Sequence, residues 1–304
     1  MKDKILLIGA AILDVLVTPA GPEVFETGSY PAEKIQMSFG GDALNESLVL
    51  ASLGKKVYLN TVIGNDPEGE MIQRRCAKSG IILPERCQRD GLQTGINVVL
   101  VEQNGERNFL TNRNGSLRKM SKNDIQMPFP EDVGVLCLAS IFVSPQLGVT
   151  DMAEIFRQAK KQGITVCADM TKRKNGETAA DVKEALQYID FLIPNEEEAC
   201  LLTGVNSPEL AAEELQKAGV KNVVIKCGKN GCYVLEADAK EGEYVPAISG
   251  VKCVDTTGAG DSFLAGFVYG ISEGWNVKKC AQFANECGAK AVQQVGATAW
   301  CEKK

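Results

Sequence analysis

The chain has 304 residues, 44% hydrophobic and 24% charged, and a net charge of −6. Such a chain can bury a sizeable core, and its sign is wrong for a general nucleic-acid binder. It contains no histidine, which excludes Ser-His-Asp and Cys-His pairs, histidine-ligated zinc and an imidazole base, and leaves carboxylates as the first choice for any proton acceptor.

In chain order, Lys4–Ile8 predicts a buried strand. Asp42–Leu53 predicts a helix closed by Gly54, and Val57–Val62 a second buried strand. Asp66-Pro67 supplies an N-cap followed by proline at the first helical position, opening a helix that runs to Gly80. The middle is richer in β-formers. Thr94–Glu102 and Glu106–Asn112 flank Gln103-Asn104-Gly105, a hairpin signal. With Leu13–Thr18 and Lys34–Phe39 they predict a small β subdomain over residues 12–39 and 92–113.

From Val133 the rhythm is regular. Val135–Ala139, Thr165–Ala168, Phe191–Ile193 and Asn222–Lys226 predict strands with helices between them, one opened by Ser207-Pro208 and closed by Gly219. Ala259–Ser272 and Val277–Gln294 predict two final helices. The expected fold is a single α/β domain over residues 1–304, a doubly wound and mostly parallel sheet whose ligands bind at the carboxyl ends of its strands.

The 11 cysteines show no Cys-x-x-Cys spacing and read as small buried side chains in a reducing compartment. Residues 1–13 imitate the charged and apolar parts of a secretion signal, but Asp14 interrupts them. No apolar run reaches the ~18 residues of a membrane span. The expectation is a cytoplasmic protein with neither membrane nor nucleic-acid partners.

Neither a P-loop nor a dinucleotide fingerprint is present: Gly228-Lys229 lacks the earlier glycine and the Ser/Thr, and Gly9 is followed by Ala10-Ala11-Ile12. The strongest motif is Asp255-Thr256-Thr257-Gly258-Ala259-Gly260-Asp261, leading into an apolar helix. Small residues there let backbone N–H groups approach an anion under the helix dipole. The alternative is an ordinary helix start. If an anion is bound, Asp261 beside it makes sense as the base that activates an attacking hydroxyl. Gly40-Gly41 before Asn45 could admit a small polar ligand or be a plain turn. Asn195 with Glu198 forms a capping box and could also organise hydrated Mg²⁺. Lys172-Arg173-Lys174 could meet an anion or be a solvated loop.

Taken in order, Gly-Gly-x-x-x-Asn at residues 40–45, Asn-x-x-Glu at 195–198 and Asp-Thr-x-Gly-Ala-Gly-Asp at 255–261 resemble the PfkB (ribokinase) family of sugar kinases over nearly the whole chain. Segments 40–46, 111–117 and 138–142 look closer to a YdjH-like subgroup of bacterial sugar kinases. The resemblance implies a ribokinase-like fold with a small β-sheet lid over the sugar. It implies an ATP-dependent kinase in which Asp261 is the base and Gly258, Ala259 and Gly260 form the anion hole. Asp14, Gly40, Gly41 and Asn45 would contact the sugar. Asn195, Lys226, Gly228, Gly231 and Asn285 would hold the nucleotide, with Glu198 reaching Mg²⁺ through water. Asp255 and Thr257 would serve a monovalent cation such as K⁺, and paired lids would make a homodimer. Departures from the family pattern at Asp42, Ser140 and Asp169–Arg173 argue against ribose and simple fructose. Arg107 and Arg113 could pair with a sugar acid's carboxylate or be exposed strand arginines. A nucleoside kinase on the same machinery is the alternative, ahead of a non-catalytic sensor and a dehydrogenase.

Overall fold

The computed structural model describes residues 2–103 and 107–302. The first half contains β1 (Lys4–Ile8), β2 (Ile12–Thr18), β3 (Lys34–Gly40), α1 (Asp42–Ser52), β4 (Val57–Asn60), β5 (Ile63–Gly64), α2 (Pro67–Lys78), β6 (Gln88–Arg89), β7 (Ile96–Val101) and β8 (Arg107–Thr111). The second half contains β9 (Val133–Ile141), α3 (Val149–Lys161), β10 (Thr165–Met170), α4 (Lys183–Leu186), β11 (Phe191–Leu192), α5 (Glu196–Thr203), α6 (Pro208–Lys217), β12 (Asn222–Lys226), β13 (Cys232–Leu235), β14 (Glu243–Val245), α7 (Ala259–Ser272) and α8 (Val277–Ala291). The helix starts follow their caps. Asp66 accepts the N–H of Gly69 at 2.8 Å ahead of Pro67, and Ser207 accepts that of Leu210 at 3.3 Å ahead of Pro208.

The large sheet has the order β14-β13-β12-β11-β10-β9-β1-β4. All pairings from β12 to β4 are parallel. The last two strands, β13 and β14, are antiparallel edge strands with no counterpart in the sequence reading. Successive side chains of a strand point to opposite faces, and here both faces are buried. Leu6, Ile8, Leu136, Leu138, Val166, Val223 and Ile225 join the core under α3 to α6. Ile5, Leu7, Val135, Cys137, Cys167 and Val224 join the core under α1, α2, α7 and α8. Burial on both faces explains why these strands read as continuous apolar runs.

A second sheet has the order β3-β2-β7-β8. Its β7–β8 pairing is antiparallel, from Asn97 opposite Thr111 to Val101 opposite Arg107. Asn104 and Gly105 of the expected turn lie outside the described residues. Registers place Asp14, Ser38, Asn97 and Thr111 in one row on one face. Val15, Met37, Val98 and Leu110 form a row on the other. No helix among the described residues is long and apolar enough to cross a membrane.

Two features position the site. Strands β1, β9, β10, β11 and β12 run parallel, so Ser140, Asp169, Asn195 and Lys226 arrive at one edge. Helix α7, buried through Phe263, Leu264, Phe267 and Val268, brings its N-terminus to the same edge.

Candidate active site

Gly258 opens α7 in the left-handed region at φ 71°. A Cβ there would lie 2.5 Å from the Cα and Cβ of Ala297, so both the conformation and the space require glycine. The N–H of Ala259 makes only a 3.2 Å turn bond to Thr256. Early helical N–H groups otherwise lack intrahelical acceptors, so the start of α7 presents N–H groups that an anion could meet.

Asp261 follows in the first turn and is half-buried. Its Oδ2 accepts a 2.7 Å hydrogen bond from the Asn45 amide, which crosses from α1. Burial raises the Asp261 carboxyl above its ordinary value, while the Asn45 bond and the nearby Lys226 charge partly offset this. A carboxylate raised in this way is a stronger proton acceptor than an exposed one.

Asp14 reaches the edge from the second sheet, and its Oδ1 accepts from the Asn97 amide at 3.1 Å. Thr111 in turn donates to Asn97 at 2.8 Å. Gly40 leaves room for this carboxylate, since a Cβ on it would sit 2.1 Å from Asp14 Oδ2. Gly41 is the N-cap of α1. Asn97 was not among the sequence candidates, because only the sheet register sets it beside Asp14.

Arg107, from β8, donates to Asp255 at 2.6 Å and also meets the Thr257 hydroxyl. Asp255 further accepts from the Thr257 N–H at 2.9 Å, its hydroxyl at 2.6 Å and the Gly296 N–H at 3.0 Å. Burial acts to raise the Asp255 carboxyl, yet these donors outweigh it and hold it below the usual range. A monovalent cation at Asp255 and Thr257 would therefore displace a guanidinium. Arg113 is exposed.

Asn195 and Glu198 form the expected capping box, with bonds of 2.8 and 3.0 Å. They line the same edge as Asp169 and Lys226, which form a salt bridge. Lys172 is exposed and pairs with Glu197 at 2.5 Å. Gly228, Gly231 and Asn285 line a cavity of about 560 Å³ beside α8. The Asn285 amide bonds the carbonyls of Val245 and Pro246 at 3.1 and 3.2 Å, so it braces the cavity wall.

Two further carboxyl groups were given no chemical role in the sequence reading, where Asp42 stood only as a departure from the family pattern. Asp42 Oδ1 accepts the N–H groups of Ala43 at 2.7 Å and Ala10 at 3.0 Å, and burial pushes its carboxyl up to about 6. One turn below, Glu46 is 1% exposed, and neither carboxyl oxygen has a hydrogen-bond partner. Burial, then Asp42, Asp261 and Asp169, push it well above its ordinary value. A carboxyl kept neutral only in the fold lowers stability as pH rises from its ordinary value towards the raised one. Glu46→Gln removes that slope. In thermal melts the variant should be more stable than wild type at about pH 8 and match it at about pH 4.5. An equal difference at both pH values would show that Glu46 is not buried as the neutral acid.

The pfkB family carbohydrate kinase model matches residues 2–304. The chain is 28% identical to a Haemophilus influenzae ribokinase, over 98% of this chain and 94% of that one. It is 26% identical to a 2-dehydro-3-deoxygluconokinase of the same organism, over 91% of this chain and 93% of that one. The solved structure of Arabidopsis thaliana ribokinase with ribose and ATP superposes with a TM-score of 0.82 at 25% identity, covering 99% of this chain and 96% of that one. The fold is ribokinase-like, and the chain belongs to the pfkB family of carbohydrate kinases.

Proposed function

We propose that the chain transfers the γ-phosphoryl group of MgATP to a hydroxyl of a monosaccharide, a ketose or a sugar acid, with Asp261 as general base. Membership of the family makes it a phosphotransferase with an alcohol group as acceptor. The observation that carries the finer reading is Asp261 itself. It stands in the first turn of α7 beside the anion-hole backbone, is held by Asn45 from the acceptor side, and faces a cavity of about 370 Å³ lined by Asp42, Ser140, Asp169 and Lys226. Beside it the side chains set for the acceptor, Asp14 with Asn97 and Asn45 with Asp261, are polar, which suits a polyol better than a nucleobase.

The acceptor would lie against Asp14, Gly41 and Asn45, under the second sheet acting as a lid. The nucleotide would take the cavity beside α8, near Gly228, Gly231 and Asn285. Asp261 would receive the hydroxyl proton while the loop N–H groups of Gly258 to Gly260 meet the negative charge on the phosphoryl oxygens. Lid closure would exclude water and suppress hydrolysis of the donor.

Mg²⁺ would supply charge neutralisation on the phosphates. Among the described residues no three His, Cys, Asp or Glu side chains converge as a closed metal cage. The fit is to an ion held largely by phosphate and water, with the half-buried Glu198 carboxylate as its protein anchor. A homodimer through the lid is supported by Ile35, Met37 and Leu110, which are 69%, 50% and 53% exposed. Their rows face away from Asp14. A monomer in sedimentation velocity would rule it out. Exchange of K⁺ for Na⁺ in the assay tests the monovalent cation.

The experiment for the acceptor is mass spectrometry of sugars incubated with MgATP, in which a monosaccharide should gain one phosphoryl group and nucleosides none. Arg107 sits with Asp14 on the lid side and supports the sugar-acid reading. Bidentate charge-assisted bonds are worth roughly 2 kcal/mol. Arg107→Gln should therefore raise KM for a carboxylated sugar about 30-fold, with a neutral sugar changed less than about threefold. Equal losses for both would reduce Arg107 to a tie between the lid and the 255–257 loop.

A further inference from the structure

The two cavities meet at one side chain. The cavity beside α8 and the cavity around Asp261 share Lys226, Gly228 and Gly260 in their walls. Two of the three are glycines, so Lys226 is the side chain both cavities have in common among the described residues. A phosphoryl group that leaves a nucleotide in one cavity for a hydroxyl in the other has to pass this junction.

Lys226 ends β12 with its Nζ turned to the anion loop. A Cβ built on Gly260 would lie 3.6 Å from that nitrogen. The side chain is 13% exposed, and burying an ammonium without an anion beside it is costly. Asp169, at the end of β10 and 10% exposed, provides the anion through its Oδ2. Its Oδ1 accepts the N–H of Met170 at 2.8 Å, which fixes the carboxylate plane. Asp261 and Glu198 add negative charge from α7 and α5.

Resting on the kinase reading above, we propose that Lys226 is a catalytic residue that meets the phosphoryl oxygens as the group crosses between the cavities, and that Asp169 is the positioning residue holding it at the junction. In the step, the acceptor oxygen forms its bond to the γ-phosphorus and the bond from that phosphorus to the bridging oxygen breaks. The electron pair leaves with ADP, and the hydroxyl proton goes to Asp261. Lys226 keeps all its protons and supplies charge alone. This differs from a general nucleotide contact, since it acts where charge is redistributed rather than on adenine or ribose.

The test needs no knowledge of the acceptor. Titrating the protein with Mg·ADP, alone and with aluminium fluoride as a phosphoryl mimic, separates nucleotide binding from contact with the transferring group. Lys226→Met should cut the fluoride-dependent gain in affinity at least about tenfold and leave ADP affinity within about threefold. Asp169→Asn should lose part of the gain, again without touching ADP affinity. Because Lys226→Met leaves a buried carboxylate unpaired, the double variant Lys226→Met with Asp169→Leu is measured beside it, with melting temperature as the check on folding. The gain should be lost there too. A full gain in either Lys226 variant would overturn the proposal, as would a parallel loss of ADP affinity or a wild type with no gain. A wild-type gain with no acceptor-dependent ADP release would instead count against the sugar acceptor alone.

Discussion

Asp261→Asn should lower turnover by about 10³-fold, within the range that general bases contribute, while nucleotide affinity stays within about threefold. The amide keeps the size of the carboxylate and can still bond the Asn45 side chain, which donates to Oδ2 at 2.7 Å in wild type. What it loses is the ability to take a proton. The chain holds no histidine to substitute for it, and the other carboxyls lining the cavity are engaged. Asp42 is spent on two backbone N–H groups, Asp169 on Lys226, and Glu198 on the cap of α5. The cavity beside α8 proposed for the nucleotide does not have Asp261 in its walls. A tenfold loss or less, with normal binding, would move the base elsewhere.

Gly258→Ala is expected to have the second-largest effect, a fall in turnover of about 10²-fold or more, comparable to removing an oxyanion donor. Two costs combine. An L-residue at φ 71° is strained by roughly 1–2 kcal/mol. Its Cβ would also meet Ala297 at 2.5 Å, including backbone that cannot swing aside like a side-chain tip. The loop has to move, and with it the N–H groups proposed to meet the phosphoryl oxygens. Gly204→Ala is the control. It has φ 78° at the end of α5 with open space around its Cβ, so it carries the strain without the clash. It should lose stability on the order of 1 kcal/mol and keep its kcat. Equal kcat losses in the two variants would show that strain, not the anion loop, sets the effect.

Local chemistry made part of this site legible. The 255–261 segment is a continuous run whose glycines, helix start and acid carry their meaning within one turn, and Asn195 with Glu198 is readable as a cap from spacing alone. The parallel strands announce themselves because both of their faces are buried. What escaped depends on tertiary neighbours. Glu46 follows Asn45 on an ordinary amphipathic stretch, and only the packing of α1 on β9 and α7 makes it a buried acid. The Asp169–Lys226 pair joins residues 57 apart in sequence. Asn97 lies in an unexceptional strand until the register puts it opposite Asp14. Strands β13 and β14 are short, four and three residues, and follow no helix, so the alternation that marks the other strands is absent. Asn285, which the family resemblance assigns to the nucleotide, lines the cavity beside α8, and only the fold shows that its amide also bonds two carbonyls.

Phosphoryl transfer to a sugar hydroxyl is measured as ADP release from MgATP with and without acceptor, across ketoses, aldoses, sugar acids and nucleosides. Release should require a monosaccharide and disappear in Asp261→Asn. Release that ignores the acceptor, or that a nucleoside supports better than any sugar, would contradict it.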